Sequence, residues 1–356
     1  MRSMLSTARQ LLRPLVGAAV AFHLTAPAVH ATADEALLSG SDPLLFATLT
    51  RDQPAGGEGI YNNLGYRFGL GHDGGPAERV GTFQSLSPIL YWDDNVNNGL
   101  AQDSLLISGL VFDVPPDMVA RSGLVYGFEA GIGQRWIVGP GLTLQPSANV
   151  SLTNTAAWND PAVAAAVSLC GVQTEETMRW TTLCLQQSHA QGGTSRTVDQ
   201  TDLFVGQEYF LGQTQDGPAH LLGISGRRIF LPEGSRDVFG AKLTSAWPGF
   251  GATEVTAEAG TKLEDVQART RYLSVMLTKL VAERPTEFTI FADQREGSFF
   301  LGEPIVERNF GVSVARPIND RLKVEVAARR TNSSADAYDD TGLSLRFLMP
   351  SFARFQ

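Results

Sequence analysis

The most constraining feature of this sequence is an alternation of apolar and polar residues with a period of two, which recurs from residue 58 to residue 349. In Leu322–Arg329, for example, Leu, Val, Val and Ala occupy one face, and Lys, Glu, Ala and Arg occupy the other. Successive side chains of a strand point to opposite sides, so the pattern predicts strands with one apolar face and one polar face. Helical periodicity is hard to find over the same residues.

The alternation predicts many strands of this kind. They are expected near residues 59–70, 79–92, 126–133, 142–152, 161–170, 178–188, 200–211, 219–230, 239–243, 254–259, 271–279, 287–290, 310–314, 322–329 and 341–347. Allowing roughly 20 residues for each strand and its connection gives about 14 strands, and 12 to 16 remain possible.

A soluble β-sandwich and a membrane β-barrel both show such alternation. A sandwich usually needs only about 100 residues, whereas here the pattern continues without a linker, with a uniform apolar face and a polar face that carries charges of both signs. No window after Ala33 is long and apolar enough for a membrane-spanning helix. The sequence therefore predicts an all-β fold, a transmembrane antiparallel up-and-down β-barrel.

The first 33 residues have the layout of a secretory signal peptide. Arg2, Arg9 and Arg13 precede an apolar stretch, and small residues follow at Ala31-Thr32-Ala33. Residues 34–57 lack alternation and are expected to form a periplasmic N-terminal segment, in which Leu37–Leu49 is a candidate short helix entering the barrel lumen. The barrel is assigned to residues 58–349 and a C-terminal tail to residues 350–356.

Charge and histidine content argue against several classes of function. Without the leader, 25 Lys and Arg stand against 37 Asp and Glu, a net charge of −12 that disfavours nucleic acid as a partner. The three remaining histidines, His72, His189 and His220, show no metal-binding spacing, and no Gly-x-Ser-x-Gly elbow occurs. The sequence predicts neither an enzyme nor a metal or cofactor site.

The connections also fit a barrel. Short turns are expected around Pro248-Gly249, Glu283-Arg284-Pro285 and Arg316–Asp320, and long polar loops at Asp93–Arg121 and Thr331–Asp340. Aromatic residues near strand ends are candidates for interfacial girdles: Tyr91, Trp92, Trp136, Trp158, Trp180 and Trp247.

Charged residues on the polar face are the candidate functional residues, because lumen side chains set the selectivity of a pore. They are Arg67, Glu129, Lys242, Glu254, Glu258, Lys323, Glu325, Arg329 and Arg346. The alternative is a salt-bridge network that holds a narrow barrel shut. Both interpretations need the same charged lumen, and the sequence does not choose between them.

The two cysteines, Cys170 and Cys184, fall on the same face of two predicted strands. A hairpin centred on Thr177 would bring them together, and an exported protein meets an oxidising compartment. The sequence therefore predicts a disulfide on the lumen side.

Two short stretches resemble surface lipoprotein assembly modifiers. Ser85–Gly99 is similar to an early barrel strand of that family, with an Asn-x-Asn-Asn turn, and Arg329–Ser333 with Tyr338 is similar to its last hairpin. An Asp-Asp-Asn-Val turn also occurs in barrels of exopolysaccharide-export proteins. The resemblance implies a translocation barrel with an exported lipoprotein or polysaccharide as cargo. The periplasmic tetratricopeptide-repeat domain of assembly modifiers has no counterpart in residues 34–57.

The expected location is the outer membrane of a Gram-negative cell. Asp340–Phe347 resembles the terminal strand that the barrel-insertion machinery recognises, although the chain continues to Phe352 and Phe355. The expected partners are that machinery, outer-membrane lipids and lipopolysaccharide. Two function classes remain open: a transport or secretion barrel, and a non-conducting structural or interaction barrel that presents its surface loops.

Overall fold

A computed structural model describes residues 33–52, 57–93, 95–97, 99, 104–107, 110–116, 119–156, 160–192, 197–213, 217–263, 266–298, 304–319, 322–334 and 339–348. The predicted signal peptide before Ala33, the predicted tail 350–356 and Trp158 lie outside these residues.

Three short helices precede the first strand: α1 (Ala33–Leu38), α2 (Asp42–Asp52) and α3 (Glu58–Arg67). The hydroxyl of Ser41 caps α2 by accepting a hydrogen bond from the Leu44 N–H at 3.3 Å. In the described part of the chain, no helix has the length and apolar character needed to cross a membrane.

The strand predicted at residues 59–70 is wrong, because α3 occupies most of this segment. Leu64 and Phe68 lie four residues apart and are both buried, as on one side of a helix. Tyr66, Phe68 and Leu70 also satisfy a period of two, so a window this short does not separate the two periodicities.

The described residues contain sixteen strands. They are β1 (Glu78–Asp93), β2 (Ser104–Ile107), β3 (Leu110–Asp113), β4 (Gly123–Gly139), β5 (Leu142–Thr155), β6 (Ala162–Glu175), β7 (Arg179–Gly192), β8 (Val198–Gln213), β9 (Ala219–Leu231), β10 (Gly234–Trp247), β11 (Gly251–Gly260), β12 (Ala268–Val281), β13 (Arg284–Ser298), β14 (Pro304–Asn319), β15 (Leu322–Ser333) and β16 (Asp340–Leu348).

Fourteen of these strands form one antiparallel sheet in the order β1, then β4 to β16, so that nearly every strand pairs with its neighbours in sequence. β2 and β3 form a separate hairpin between β1 and β4. The sheet curves until β16 lies beside β1, where the Arg346 guanidinium is 5.4 Å from the centroid of the Tyr91 ring. The predicted barrel and its count of 14 strands are confirmed.

The outside of the sheet is apolar. Leu86, Phe239, Ile290 and Leu343 are each more than 60% exposed, and Leu, Val, Ile and Phe occupy equivalent outward positions on most other strands. Exposing so much apolar surface to water is unfavourable, whereas the hydrocarbon core of a bilayer accommodates it. This exterior is that of an outer-membrane β-barrel.

The two ends of the barrel differ in their connections. At one end, the connections 140–141, 176–178, 214–218, 248–250, 282–283 and 320–321 are short, and β1 begins and β16 ends there. At the other end, the connection 94–122 is long, although 232–233 is a tight turn. Barrels of this class turn their short connections to the periplasm. We call the two ends the turn end and the loop end.

The helices pack inside the turn end. Leu44, Phe46 and Leu64 form a buried cluster with Trp180 and Leu221, which project inward from β7 and β9. Apolar side chains therefore occupy the inward positions of the wall that these helices cover. We call α1, α2 and α3, together with Phe68 that follows α3, the plug. The single short helix predicted for Leu37–Leu49 is interrupted at Ser39–Ser41 and corresponds to parts of α1 and α2.

Candidate functional site

The candidate site is the barrel lumen. Eight of the predicted charged residues lie on strand positions whose register places them on the inward face, opposite the exposed apolar positions: Glu129, Lys242, Glu254, Glu258, Lys323, Glu325, Arg329 and Arg346. Arg67 belongs instead to α3 of the plug, where its guanidinium pairs with the Asp42 carboxylate at 2.9 Å. The effect of these residues on selectivity stays a prediction.

Ion pairs order the lumen wall: Arg227–Asp202 lies there at 4.0 Å and Arg295–Asp293, within β13, at 3.4 Å. Four further pairs of the described residues join different strands at 3.3 Å or less. They are Lys242–Glu208 at 3.3 Å, Arg269–Glu258 at 2.6 Å, Lys323–Glu287 at 2.6 Å and Arg329–Asp340 at 3.1 Å. Each joins adjacent strands or strands separated by one other, so these pairs run along the wall and do not cross the lumen.

Small residues make possible the two pairs that reach across an intervening strand, Lys242–Glu208 and Lys323–Glu287. Gly223 of β9 lies between Glu208 and Lys242, and Ala315 of β14 occupies the position next to Glu287 in the ladder. A Cβ on Gly223 would lie 3.6 Å from the Glu208 side chain and 3.7 Å from that of Lys242. The charged side chains therefore meet over a small residue and lie close to the wall, which leaves the centre of the lumen free of them.

Other lumen charges have weaker partners. Glu254 accepts a hydrogen bond from the Thr256 hydroxyl at 3.4 Å. Glu325 and Arg346 pair in the β15–β16 ladder and line a pocket of ≈ 270 Å³ beside Tyr91. Tyr91 thus faces inward at the join of the first and last strands, and its prediction as an interfacial residue is wrong.

A second pocket, of ≈ 340 Å³, lies between the plug and the wall. Its plug side is the turn from Ser39 to Pro43 at the start of α2, and its wall side includes Arg135, Trp180, Thr182, Glu208, Lys242 and Glu254. We call it the plug pocket. It brings two predicted residues, Lys242 and Glu254, together with several that were not predicted.

Trp180 and Arg135 line the plug pocket, although the sequence did not predict them as lumen residues. Trp180 was predicted in an interfacial girdle, which is wrong, because its side chain is 1% exposed and packs 5.9 Å from Phe68 of the plug. Arg135 lies six residues after Glu129 in β4 and therefore shares its inward face, but the strand predicted at residues 126–133 ended before it.

Polar contacts hold the plug at the turn end. The Glu35 carboxylate accepts a hydrogen bond from the Gly249 N–H at 2.9 Å, in the β10–β11 turn. The Gly69 carbonyl accepts one from the Gly141 N–H at 2.9 Å, in the β4–β5 turn. These bonds anchor both ends of the plug to turns, while its middle packs through apolar side chains.

The predicted disulfide is present between Cys170 and Cys184. The two residues are a directly opposed pair in the β6–β7 hairpin, whose turn contains Thr177, and they lie on the lumen face. The bond fixes the register of two strands that line the lumen near the plug pocket.

One Ser–His contact lies away from the lumen charges. The His220 Nδ1 is 2.8 Å from the Ser245 hydroxyl, and the Trp247 ring packs edge-on against the imidazole at 5.6 Å. Ser245 is only 1% exposed, so no substrate reaches its hydroxyl in this arrangement. A serine nucleophile must be accessible, and the contact is therefore a packing feature.

Comparison with solved structures yields outer-membrane barrels of low similarity. An outer membrane channel from Pseudomonas putida F1 is 11% identical, with a TM-score of 0.36 over 75% of this chain and 95% of that one. The outer membrane protein OprD from Pseudomonas aeruginosa is 6% identical, with a TM-score of 0.40 over 76% and 92%. OccAB3 from Acinetobacter baumannii is 6% identical, with a TM-score of 0.38 over 75% and 98%. No known family and no curated protein sequence matches the chain.

Proposed function

We propose that this barrel conducts small polar solutes across the outer membrane and that the plug controls the passage. The observation that carries the proposal is the arrangement of charges in the lumen. The ion pairs lie along the wall, so the obstruction in the described part of the lumen is a helical segment at one end and not a salt-bridge network across the middle. A wet, charged wall suits polar solutes.

The plug has features of a part that moves as a unit. Phe46 stacks on Tyr61 with ring centroids 5.1 Å apart and meets Phe68 edge-on at 5.4 Å, so that α2 and α3 are joined to each other by aromatic packing. Gly69 and Gly71, between the plug and β1, both have positive φ. Glycine adopts such conformations without strain, and a short segment of this kind suits a hinge.

Conductance of the full chain in planar bilayers tests the proposal. Wild type is expected to conduct in brief openings, and Phe46→Ala to conduct more, because a buried Phe→Ala change removes about 3 to 5 kcal/mol of packing from the plug. Phe239→Ala, which truncates a lipid-facing phenylalanine of the wall, is the control and should conduct as wild type does. Heat-modifiable migration shows that each variant is folded.

Absence of conductance in wild type and in Phe46→Ala, with both barrels folded, would refute a passage. That result would favour the non-conducting alternative, a barrel that presents its loops. Equal conductance in all three proteins would show instead that the plug does not control the lumen.

The resemblance to surface lipoprotein assembly modifiers suggests a different cargo for the same passage, a lipoprotein or a polysaccharide. We retain it as a hypothesis that rests on Ser85–Gly99 and Arg329–Ser333. Small solutes are favoured because a plug packed against the wall leaves a pocket of only ≈ 340 Å³ beside it. Lipopolysaccharide, outer-membrane lipids and the barrel-insertion machinery are the proposed partners of the exterior and of its biogenesis.

A further inference from the structure

Three exposed arginines lie on the outer face of the barrel close to the loop end. They are Arg271 of β12, Arg308 of β14 and Arg330 of β15. They share the face that carries the exposed apolar side chains, because Arg308 precedes Phe310 by two residues and Arg330 pairs with Phe310 in the ladder. Each lies within five residues of the loop-end terminus of its strand. We call these three residues the arginine cluster.

The register of the strands brings the arginine cluster together. Arg271 pairs with Gln294, which in turn pairs with Arg308. Neighbouring strands are about 4.8 Å apart, so the Arg271 and Arg308 Cα atoms are about 10 Å apart. Arg308 pairs with Asn332, whose amide oxygen accepts a hydrogen bond from the Arg330 Nε at 3.0 Å. Long arginine side chains at this spacing converge on a single headgroup.

The carboxylates near the arginine cluster do not neutralise it. Among the residues that the structure describes, none forms an ion pair or a side-chain hydrogen bond with Arg271 or Arg308. Glu296, on the same outer face, accepts hydrogen bonds from a neighbouring hydroxyl and a neighbouring amide at 3.0 and 2.8 Å. Asp339 accepts one at 2.6 Å from the backbone N–H of the last residue of β15.

Several other arginines of the exterior are bound within the protein. At the loop end, the Arg228 guanidinium lies 3.8 Å from the Asp237 carboxylate. At the turn end, Arg316 lies on the same strand and the same face as Arg308, but it donates a hydrogen bond to the Val281 carbonyl at 2.9 Å. The arginine cluster is therefore positive charge that the described residues leave uncompensated, which suits an anionic ligand.

The wall beneath the arginine cluster is apolar. Toward the middle of β12, β14 and β16, the outward positions hold Val275, Phe310, Val312 and Leu343, which are each 37% exposed or more. Barrels of this class turn their short connections to the periplasm, so the loop end lies in the outer leaflet. That leaflet consists mainly of lipopolysaccharide, whose lipid A carries phosphate groups directly above its acyl chains. Arginine binds phosphate through paired, charge-assisted hydrogen bonds.

We propose that the arginine cluster binds a phosphate group of lipid A and that the apolar wall beneath it holds the acyl chains. The site makes the sector from β12 to β15 the side of the barrel on which a lipopolysaccharide molecule is held. It lies on the outer surface and shares no residue with the lumen wall or the plug. The binding is therefore independent of whether the barrel conducts.

Binding of fluorescent diphosphoryl lipid A to the folded full-length protein in detergent tests the site. Wild type should bind it saturably, and should bind lipid A without its phosphates about 10-fold more weakly or worse. Arg271→Gln, Arg308→Gln and Arg330→Gln should each weaken binding about fivefold, because a basic residue at a membrane surface contributes about 1 kcal/mol to the attraction of an anionic lipid. The triple variant should weaken it about 100-fold. Heat-modifiable migration shows that each variant is folded.

Lys279→Gln is the matched control, because Lys279 lies on the same strand and the same face as Arg271 but at the turn end. It should bind lipid A as wild type does. Equal binding of lipid A with and without its phosphates, or equal binding by wild type and the triple variant, would overturn the site. Displacement of the lipid by inorganic phosphate would also overturn it, because the cluster would then be a site for free phosphate.

The outcomes for lipid binding and for conductance are separable. Conductance without binding of lipid A would refute this inference alone. Binding of lipid A without conductance in wild type and in Phe46→Ala would refute the proposed passage alone.

Discussion

Cys170 and Cys184 stand directly opposite each other on β6 and β7, with their Cα atoms 4.1 Å apart and their sulfurs joined. The position of the pair follows from two properties of the sequence. Alternation places both residues on the inward face, and the turn around Thr177 is equidistant from them. A disulfide between adjacent strands therefore reports that the register predicted from alternation is the register of the barrel.

We expect this bond in the protein purified from outer membranes. Thiol labelling of the unfolded, unreduced protein should find no free sulfhydryl, and reduction before labelling should give two. Cys170→Ser provides the control, because it leaves the Cys184 thiol free to react. Two labelled cysteines in the unreduced wild type would contradict the pairing.

Alternation predicted the wall well and the plug poorly, for a physical reason. On strands such as β15 and β16, one face meets lipid and the other meets a polar lumen, so side-chain polarity records which face is which. At the turn end both faces are apolar, because Leu221 and Ala246 face the plug inside. Trp180 was misplaced for this reason, whereas Arg135 was missed because the strand predicted at residues 126–133 ended before it.

The sequence alone also does not show how deep in the membrane each residue of a strand lies. Val324 and Glu325 look like mid-strand residues on opposite faces, but the register places Val324 third in β15 and opposite Arg316, near the turn end. Val326 is 46% exposed and pairs with Val314 and Leu345, well inside the apolar exterior. Val326 is therefore the lipid-facing residue by which to test the two faces.

We expect Val326→Arg to reduce the folded fraction strongly in lipid vesicles. An arginine on the lipid face costs about 2 to 4 kcal/mol near the bilayer midplane and about 0 to 1 kcal/mol near the interface. Glu325→Arg, one position away but inside the lumen, should fold, and Val324→Arg should have an intermediate effect. Heat-modifiable migration after refolding measures the three fractions. Equal losses for Val326→Arg and Glu325→Arg would show that the assignment of faces is wrong.

The Lys323–Glu287 pair gives a prediction about ion selectivity. The Lys323 Nζ donates to the Glu287 carboxylate at 2.6 Å on the lumen wall. Lys323→Gln leaves an uncompensated carboxylate and should raise the preference for cations, whereas Glu287→Gln leaves an uncompensated ammonium and should lower it.

Reversal potentials in a KCl gradient measure this preference, and the two variants should shift it in opposite directions. Lys279→Gln is the control, because Lys279 lies on the outward face of β12 with its ammonium 5.3 Å from the Phe250 ring. Its reversal potential should equal that of wild type. Shifts of the same sign for Lys323→Gln and Glu287→Gln would contradict a role of the pair in selectivity.

The last prediction concerns the joint between the plug and the β4–β5 turn. Gly141 has a φ of +66° and makes two backbone hydrogen bonds. Its N–H donates to the Gly69 carbonyl at 2.9 Å, and its carbonyl accepts from the Thr174 N–H at 2.7 Å. A Cβ at this position would lie 2.3 Å from the Thr174 carbonyl oxygen, so Gly141→Ala must displace backbone as well as accept the strain of a positive φ.

Gly71→Ala separates these two effects, because Gly71 has a φ of +85° and open space around its Cα. It should cost about 1 kcal/mol, the strain of the backbone alone, whereas Gly141→Ala should cost about 3 kcal/mol or more. Urea unfolding followed by tryptophan fluorescence measures both in a chain whose other four tryptophans are replaced by phenylalanine, so that Trp180 alone reports contact between plug and wall. If the plug is held at this turn, Gly141→Ala also exposes residues 33–77 to protease in a barrel that remains heat-modifiable, and Gly71→Ala does not. Equal protease resistance of the two variants would mean that the Gly69–Gly141 bond does not hold the plug in place.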